Sequence, residues 1–209
     1  TAAQWQANWQ APDSTDHNFQ DAWAALERAC DQSDLADLEP LTDGKVHRVL
    51  AGSPLKSQGP DHHQGRHYAR SGTECTAEVA QLLRSVEAER RWPAQELVTS
   101  TAMQLKDDGG SRPITLTGTS LYRPWCQLRK PVVADFDAKK AGHWDSAIKG
   151  SSALRAQLLR SLEAEVADQE GLSIMHFLWD MRKFYDSIRL SKLIPELCRL
   201  GYPPHVLTV

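Results

Sequence analysis

The feature that most constrains this chain is a change of apolar period between Leu97 and Leu116. Leu97, Thr99, Thr101, Met103 and Leu105 alternate, Asp107-Asp108-Gly109-Gly110 supplies turn chemistry, and Arg112-Pro113-Ile114-Thr115-Leu116 reads as a return strand. On both sides of this segment the apolar spacing is helical. A β-hairpin with a basic edge, set among helices, predicts an α+β fold.

Residues 1–16 hold Trp5 and Trp9 among turn formers and read as an irregular lead-in. Phe19, Ala22, Trp23, Leu26 and Cys30 then recur at helical spacing, with Asp16 available as a cap. Gly44 to Gly72, rich in Gly, Pro, His and Ser, reads as a long loop. Ser71-x-x-Glu74 has the form of a capping box ahead of Val79, Leu82, Leu83 and Val86, and Trp92-Pro93 closes that helix. After the hairpin, Leu121, Trp125, Leu128, Val132 and Phe136 mark a helix that Pro124 and Pro131 should bend or interrupt. A loop over 142–151 leads to a helix with Leu154, Leu158, Leu162 and Val166 on one face, started by Ser151 or Ser152.

Ile174 to Trp179 is continuously apolar, bounded by Gly171 and by charge, and predicts a strand buried on both faces. Ser191 can cap a last helix carrying Leu193, Ile194, Leu197 and Leu200, with Gly201 at its end and Pro203-Pro204 stopping it.

The 209 residues are 41% apolar and 24% charged, as expected of a soluble globular chain. No apolar run approaches the roughly 20 residues that span a bilayer, and the N-terminus lacks a basic and apolar leader, so neither membrane insertion nor secretion is expected. Cys30, Cys75, Cys126 and Cys198 are scattered without a C-x-x-C pair and read as reduced thiols of an intracellular protein. A net charge of −3 argues against a stand-alone nucleic-acid binder. The basic residues are nevertheless concentrated: Arg112, Arg123, Arg129, Lys130, Lys139, Lys140 and Lys149 share one central stretch, whereas Arg28 is the only Lys or Arg before Lys45.

Asp180 ends the apolar run. A carboxylate at the end of a buried strand is held rigidly at the edge of a core, where it can bind Mg²⁺ through oxygen. One aspartate is too few for a two-metal site, and taken alone it better suits a residue that caps the next turn. His62, His63 and His67 beside Asp61 lie on one segment without further spaced ligands and read as a solvated loop. Trp5, Trp9 and Trp23 sit in acidic surroundings that favour packing over base stacking. A nucleophile elbow, a P-loop and a dinucleotide fingerprint are all missing from the sequence.

The string Asp180-Met181-Arg182-Lys183-Phe184-Tyr185-Asp186 resembles the first palm motif of reverse transcriptases. Lys106 to Leu116 resembles their fingers hairpin, and Leu121-Tyr122-Arg123-Pro124-Trp125, with Trp92-Pro93 ahead, is similar to fingers of the non-LTR retrotransposon type. Gly59-Pro60-Asp61 resembles, in degenerate form, the G-x-D element that opens those domains. The likeness implies residues 55–209 as fingers and the start of a palm, a partial right-hand polymerase, with 1–54 a variable, partly helical segment ahead of it.

By the same resemblance Asp180 is a catalytic metal ligand for Mg²⁺, and Met181 offers its carbonyl to the second metal. Tyr185 is the gate against a ribose 2′-hydroxyl, and Arg112 and then Lys106 meet the phosphates of a deoxynucleoside triphosphate. An RNA template and a DNA primer are the implied partners. The family's later adjacent aspartates do not follow Asp186, and the chain opens on Thr1, so a fragment inactive by itself is expected. Two rivals are a remnant or interaction domain that keeps the fold without the chemistry, and an unrelated Mg²⁺-dependent phosphotransferase.

Overall fold

The computed structural model describes residues 17–54, 59–105, 107, 109–142, 145–147, 150–177 and 188–209. Among them are eight α-helices and one two-stranded antiparallel sheet, an α+β chain. They belong to two compact units, one running through Val133 and resuming at Arg189, the other Ala134–Ile188.

In the first unit α1 is His17–Asp31, α2 Asp43–Ala51, α3 Gly65–Arg70 and α4 Thr73–Glu89. The segment expected to be a loop over 44–72 therefore contains α2 and α3. Thr42 caps α2, its hydroxyl accepting from the Lys45 amide at 3.4 Å, and Val46 and Leu50, one turn apart, are fully buried. Ser71 is not an N-cap: it ends α3, its hydroxyl donating to the His67 carbonyl at 3.0 Å, and Gly72 precedes α4 with φ +112°. The α4 stripe buries Thr76, Val79, Ala80, Leu83, Val86 and Glu87. Leu82, placed on that face by the sequence, lies at its margin, 36% exposed.

β1 (Ser100–Leu105) pairs with β2 (Ser111–Leu116), from Ser100 opposite Leu116 to Leu105 opposite Ser111. Pro113 lacks an N–H, which a two-stranded sheet tolerates because each strand is an edge. The long helix α5, Tyr122–Lys140, runs through Pro124 and Pro131, which therefore do not interrupt it. Pro124 falls in the first turn, where no intrahelical donor is needed.

One core joins Leu41, the α2 and α4 stripes, Trp92, Leu121 just ahead of α5, and Trp125 and Leu128 of α5. At about 1.5–3 kcal/mol for each large apolar side chain covered, this packing holds the short helices in place. A buried ion pair crosses it. Arg129 grips Glu87 through Nε at 2.6 Å and Nη2 at 2.5 Å, while Nη1 donates to the Glu39 carbonyl at 2.7 Å. Trp125 Nε1 donates to the same Glu87 carboxylate at 2.8 Å.

A second cluster packs α1 through Ala22, Leu26 and Cys30 against Ile194 of α7 (Leu190–Leu200). Trp23 lies at its margin, as the packing expectation requires. Gly201 ends α7 in the left-handed region at φ +79°, the conformation glycine adopts without strain. Arg189 rather than Ser191 occupies the N-cap position of α7, Pro195 lies inside the helix, and Pro204 opens a short α8, Pro204–Leu207.

The second unit contains α6, Ala153–Gln169, started by Ser152, whose hydroxyl accepts from the Arg155 amide at 3.1 Å. Leu154, Leu158, Leu162 and Val166 are all exposed. Residues 174–177 are not a strand and are exposed, contrary to the buried strand expected over 174–179; residues 178 and 179 lie outside the described residues. A strand buried on both faces needs flanking strands, and the hairpin is the only sheet among the described residues. No helix among the described residues is long and apolar enough to cross a membrane.

Candidate functional site

Of the residues the sequence nominates, Arg112 is described. It lies on β2 opposite Gln104, and its Nε donates to Gln104 Oε1 at 3.0 Å. Alternation puts Arg112, Gln104, Ala102 and Ile114 on one face of the hairpin, while Met103 and Pro113 share the other. Apart from Met103, Ser111 and Pro113, both strands are exposed. Among the described residues the guanidinium is thus tied at Nε, and its two terminal nitrogens have neither a hydrogen bond nor an ion pair. A planar fork held in this way can make paired, charge-assisted bonds to an oxyanion. Lys106, Asp180, Met181 and Tyr185 lie outside the described residues, as does Asp186.

Gly59-Pro60-Asp61 occupies a built position between the segments before and after the hairpin. Asp61 Oδ2 accepts from the Thr119 amide at 2.9 Å and the Ser120 amide at 3.0 Å. Thr119 Oγ1 donates to the His63 carbonyl at 2.7 Å and accepts from the Gly59 amide at 3.3 Å. A Cβ on Gly59 would stand 2.1 Å from the Thr117 carbonyl oxygen, so only glycine lets the two backbones approach this closely. The clasp fixes the chain as it leaves β2 and enters α5.

A second carboxylate faces this clasp across Gly118. A Cβ there would lie 2.8 Å from Glu96 Oε2 and 3.7 Å from Asp61 Oδ2. Glu96 Oε2 and Asp61 Oδ1 are buried without a hydrogen-bond partner among the described residues. Their titrations are pushed apart. Burial, and then the charge of Asp61, raise the Glu96 carboxyl above its ordinary value. Burial also pushes Asp61 upward, but hydrogen bonds from Ser120, Thr119 and His63 outweigh it and hold the carboxyl below the usual range.

Around the clasp, His67 Nδ1 accepts from the Gln64 amide at 3.3 Å, and the His63 ring meets the His67 ring edge-on at 6.1 Å. Among the described residues no group of three or more His, Cys, Asp or Glu is arranged to hold a metal ion. All four cysteines are free thiols, Cys30 buried and Cys126 exposed.

Sequence reasoning noticed Gly59 and Asp61 as a motif but missed Glu96, whose proximity arises only when the chain returns from β2. It also missed Glu87 and Arg129, although a signal was present. Glu87 follows Leu83 by four residues on the α4 stripe, and Arg129 follows Trp125 by four on α5. No protein-family model matches the chain, and no curated protein or solved structure matches it.

Proposed function

We propose that this chain supplies the fingers and first palm motif of an RNA-directed DNA polymerase similar to those of non-LTR retrotransposons. The observation that carries the reading is the hairpin: an antiparallel pair at the predicted place, with Arg112 held by Gln104 and its fork open to an incoming phosphate. In the intact enzyme a primer 3′-hydroxyl, giving up its proton, attacks the α-phosphate of a deoxynucleoside triphosphate along an RNA template, and the bond to the β-phosphate breaks to release pyrophosphate. Arg112 and Lys106 would bear on the triphosphate, and Asp180, with the Met181 carbonyl, would hold Mg²⁺, whose charge would offset that developing on the phosphate. Tyr185 excludes the 2′-hydroxyl.

The test is primer extension by the complete protein. Asp180→Asn abolishes extension, and retained activity would sink the metal role. Arg112→Ala raises KM for the nucleotide by about tenfold or more, the effect of losing one charge-assisted bond.

One observation favours a second reading, a domain that keeps the arrangement without the chemistry. Residues 174–177, the beginning of the expected palm strand, are exposed and not a strand. On that reading wild-type protein and Asp180→Asn are equally inactive in extension.

A further inference from the structure

We infer a phosphate-binding site in the hollow between α2 and α3, lined by His47, Ala51, Arg66, Ala69 and Arg70. This site is separate from the hairpin and does not rest on the polymerase reading. Three nitrogen-bearing side chains converge there, no acidic residue lines the hollow among the described residues, and two alanines keep it open between them.

Each of the three is prepared for an anion in a different way. Arg66 is anchored, its Nη2 donating to the Ser53 carbonyl at 2.8 Å, so its guanidinium is oriented before any ligand arrives. Its Nε is buried with no acceptor among the described residues, so this cation is incompletely satisfied by the protein itself. Arg70 is exposed and makes neither a hydrogen bond nor an ion pair among the described residues. Neither Glu74 nor Glu78, the α4 acids flanking Thr76 in sequence, pairs with any of the three.

His47 is fixed in one tautomer by a chain of hydrogen bonds. The Thr76 hydroxyl has a single proton, and it donates that proton to the Gly72 carbonyl at 2.9 Å. The 3.3 Å contact between His47 Nδ1 and Thr76 Oγ1 must therefore carry its proton on the imidazole. Nε2 is left as the open ring position, and in the imidazolium form it donates to an oxyanion beside the two arginines. A phosphate group matches this set because its several oxygens accept from two guanidinium forks and a ring N–H together. Carboxylate ligands offer fewer acceptors, and a neutral ligand leaves the charges unmatched.

The phosphate can belong to a nucleic-acid backbone or be free in solution, and two probes separate these sources. Anisotropy of a labelled short single-stranded oligonucleotide reads the first; line broadening of inorganic phosphate in ³¹P NMR reads the second. Arg70→Gln is the primary variant, because its exposed side chain, unpartnered among the described residues, can be changed without disturbing the fold. His47→Gln is the second, and Arg160→Gln, at an exposed position outside the basic stretch, removes an equal charge in the other compact unit.

With a backbone ligand, Arg70→Gln weakens oligonucleotide binding about threefold or more and lowers the salt slope by about one, while Arg160→Gln leaves both unchanged. With free phosphate, the ³¹P broadening seen with wild-type protein disappears in Arg70→Gln and His47→Gln, and oligonucleotide binding is unchanged by either variant. The site is refuted if neither probe binds wild-type protein, or if Arg160→Gln weakens binding as much as Arg70→Gln. Primer extension enters neither measurement, so this outcome and that of the polymerase reading are independent.

Discussion

Helices α4 and α6 are each 17 residues long and carry leucines at helical spacing, yet their apolar faces meet opposite fates. In α4 that face is covered by α2, α5 and Trp92, and Leu83 is fully buried. In α6 Leu154 is 79% exposed, Leu158 56% and Val166 52%, and Ala167 is the helix's one buried residue. Periodicity states which side of a helix is apolar. It does not state whether anything covers that side, because cover is supplied by residues distant in sequence.

The largest effect that can break this comparison is expected at Glu87. Glu87→Gln leaves Arg129 buried opposite a neutral partner, and removing one member of a buried pair costs about 3–5 kcal/mol. Glu165 on α6 is exposed and makes no ion pair among the described residues, so Glu165→Gln should stay within about 0.5 kcal/mol. Urea unfolding followed through the Trp92 and Trp125 rings, whose centroids are 5.8 Å apart, measures the first; far-ultraviolet circular dichroism measures the second. Equal losses at the two sites would mean that α6 is as covered in solution as α4.

Leucine truncation puts the same contrast in apolar terms. Leu83→Ala leaves a cavity among close-packed side chains and should cost about 2–5 kcal/mol. Leu158→Ala on α6 removes contacts with little but water, and its unfolding midpoint should match wild type to within about 0.5 kcal/mol. A large loss at Leu158 that grows with protein concentration would show that a second copy covers this face.

The hairpin and the helices α1, α4, α5 and α6 were legible in the sequence because each carries its own periodic signal, and Asp107 to Gly110 marks the turn. What was missed has three physical origins. α2 and α3 are too short for periodicity to speak, although Thr42-Asp43 ahead of Val46 and Leu50 was a readable start. The S-x-x-E string at Ser71 was genuine turn chemistry placed one element too late, since Ser71 finishes α3. The run from Ile174 had strand composition, but a buried strand is made by its neighbours, and none flanks residues 174–177 among the described residues. Of the nominated site, Arg112 was placed correctly on the return strand; the Asp61–Glu96 pair and the hollow at His47 depend on tertiary approach and had no local signature.

Between the covered and uncovered extremes stands the half-covered clasp. Asp61→Ala leaves the Thr119 and Ser120 amides without their acceptor and should cost about 1–3 kcal/mol, less than Glu87→Gln because water reaches part of the site. Asp61→Asn keeps one acceptor oxygen and should recover about half of that loss. Thermal unfolding of the two variants side by side separates the hydrogen bonds from the charge; equal destabilisation would assign the whole effect to the charge.

The smallest effect is the most specific in sign. The Glu96 carboxyl is raised in the folded state, so the folded chain holds a proton there that the unfolded chain has already released. Its contribution is therefore most favourable below the ordinary glutamate value and is lost as pH rises through the folded one. Glu96→Gln mimics the protonated form at every pH. Near pH about 4 the variant and wild type should unfold together, and toward pH about 7 the variant should become more stable by under about 1 kcal/mol. Asp61 behaves in the opposite sense: its carboxyl is lowered, so its contribution is present above the ordinary aspartate value and fades as pH falls through the folded one. Because the Asp61 charge is part of what raises Glu96, the Glu96→Gln gain should shrink in an Asp61→Asn background. A gain unchanged in that background would separate the two carboxylates and leave burial alone acting on Glu96, and a gain that ignores pH would mean that the Glu96 carboxyl is not raised in the folded chain.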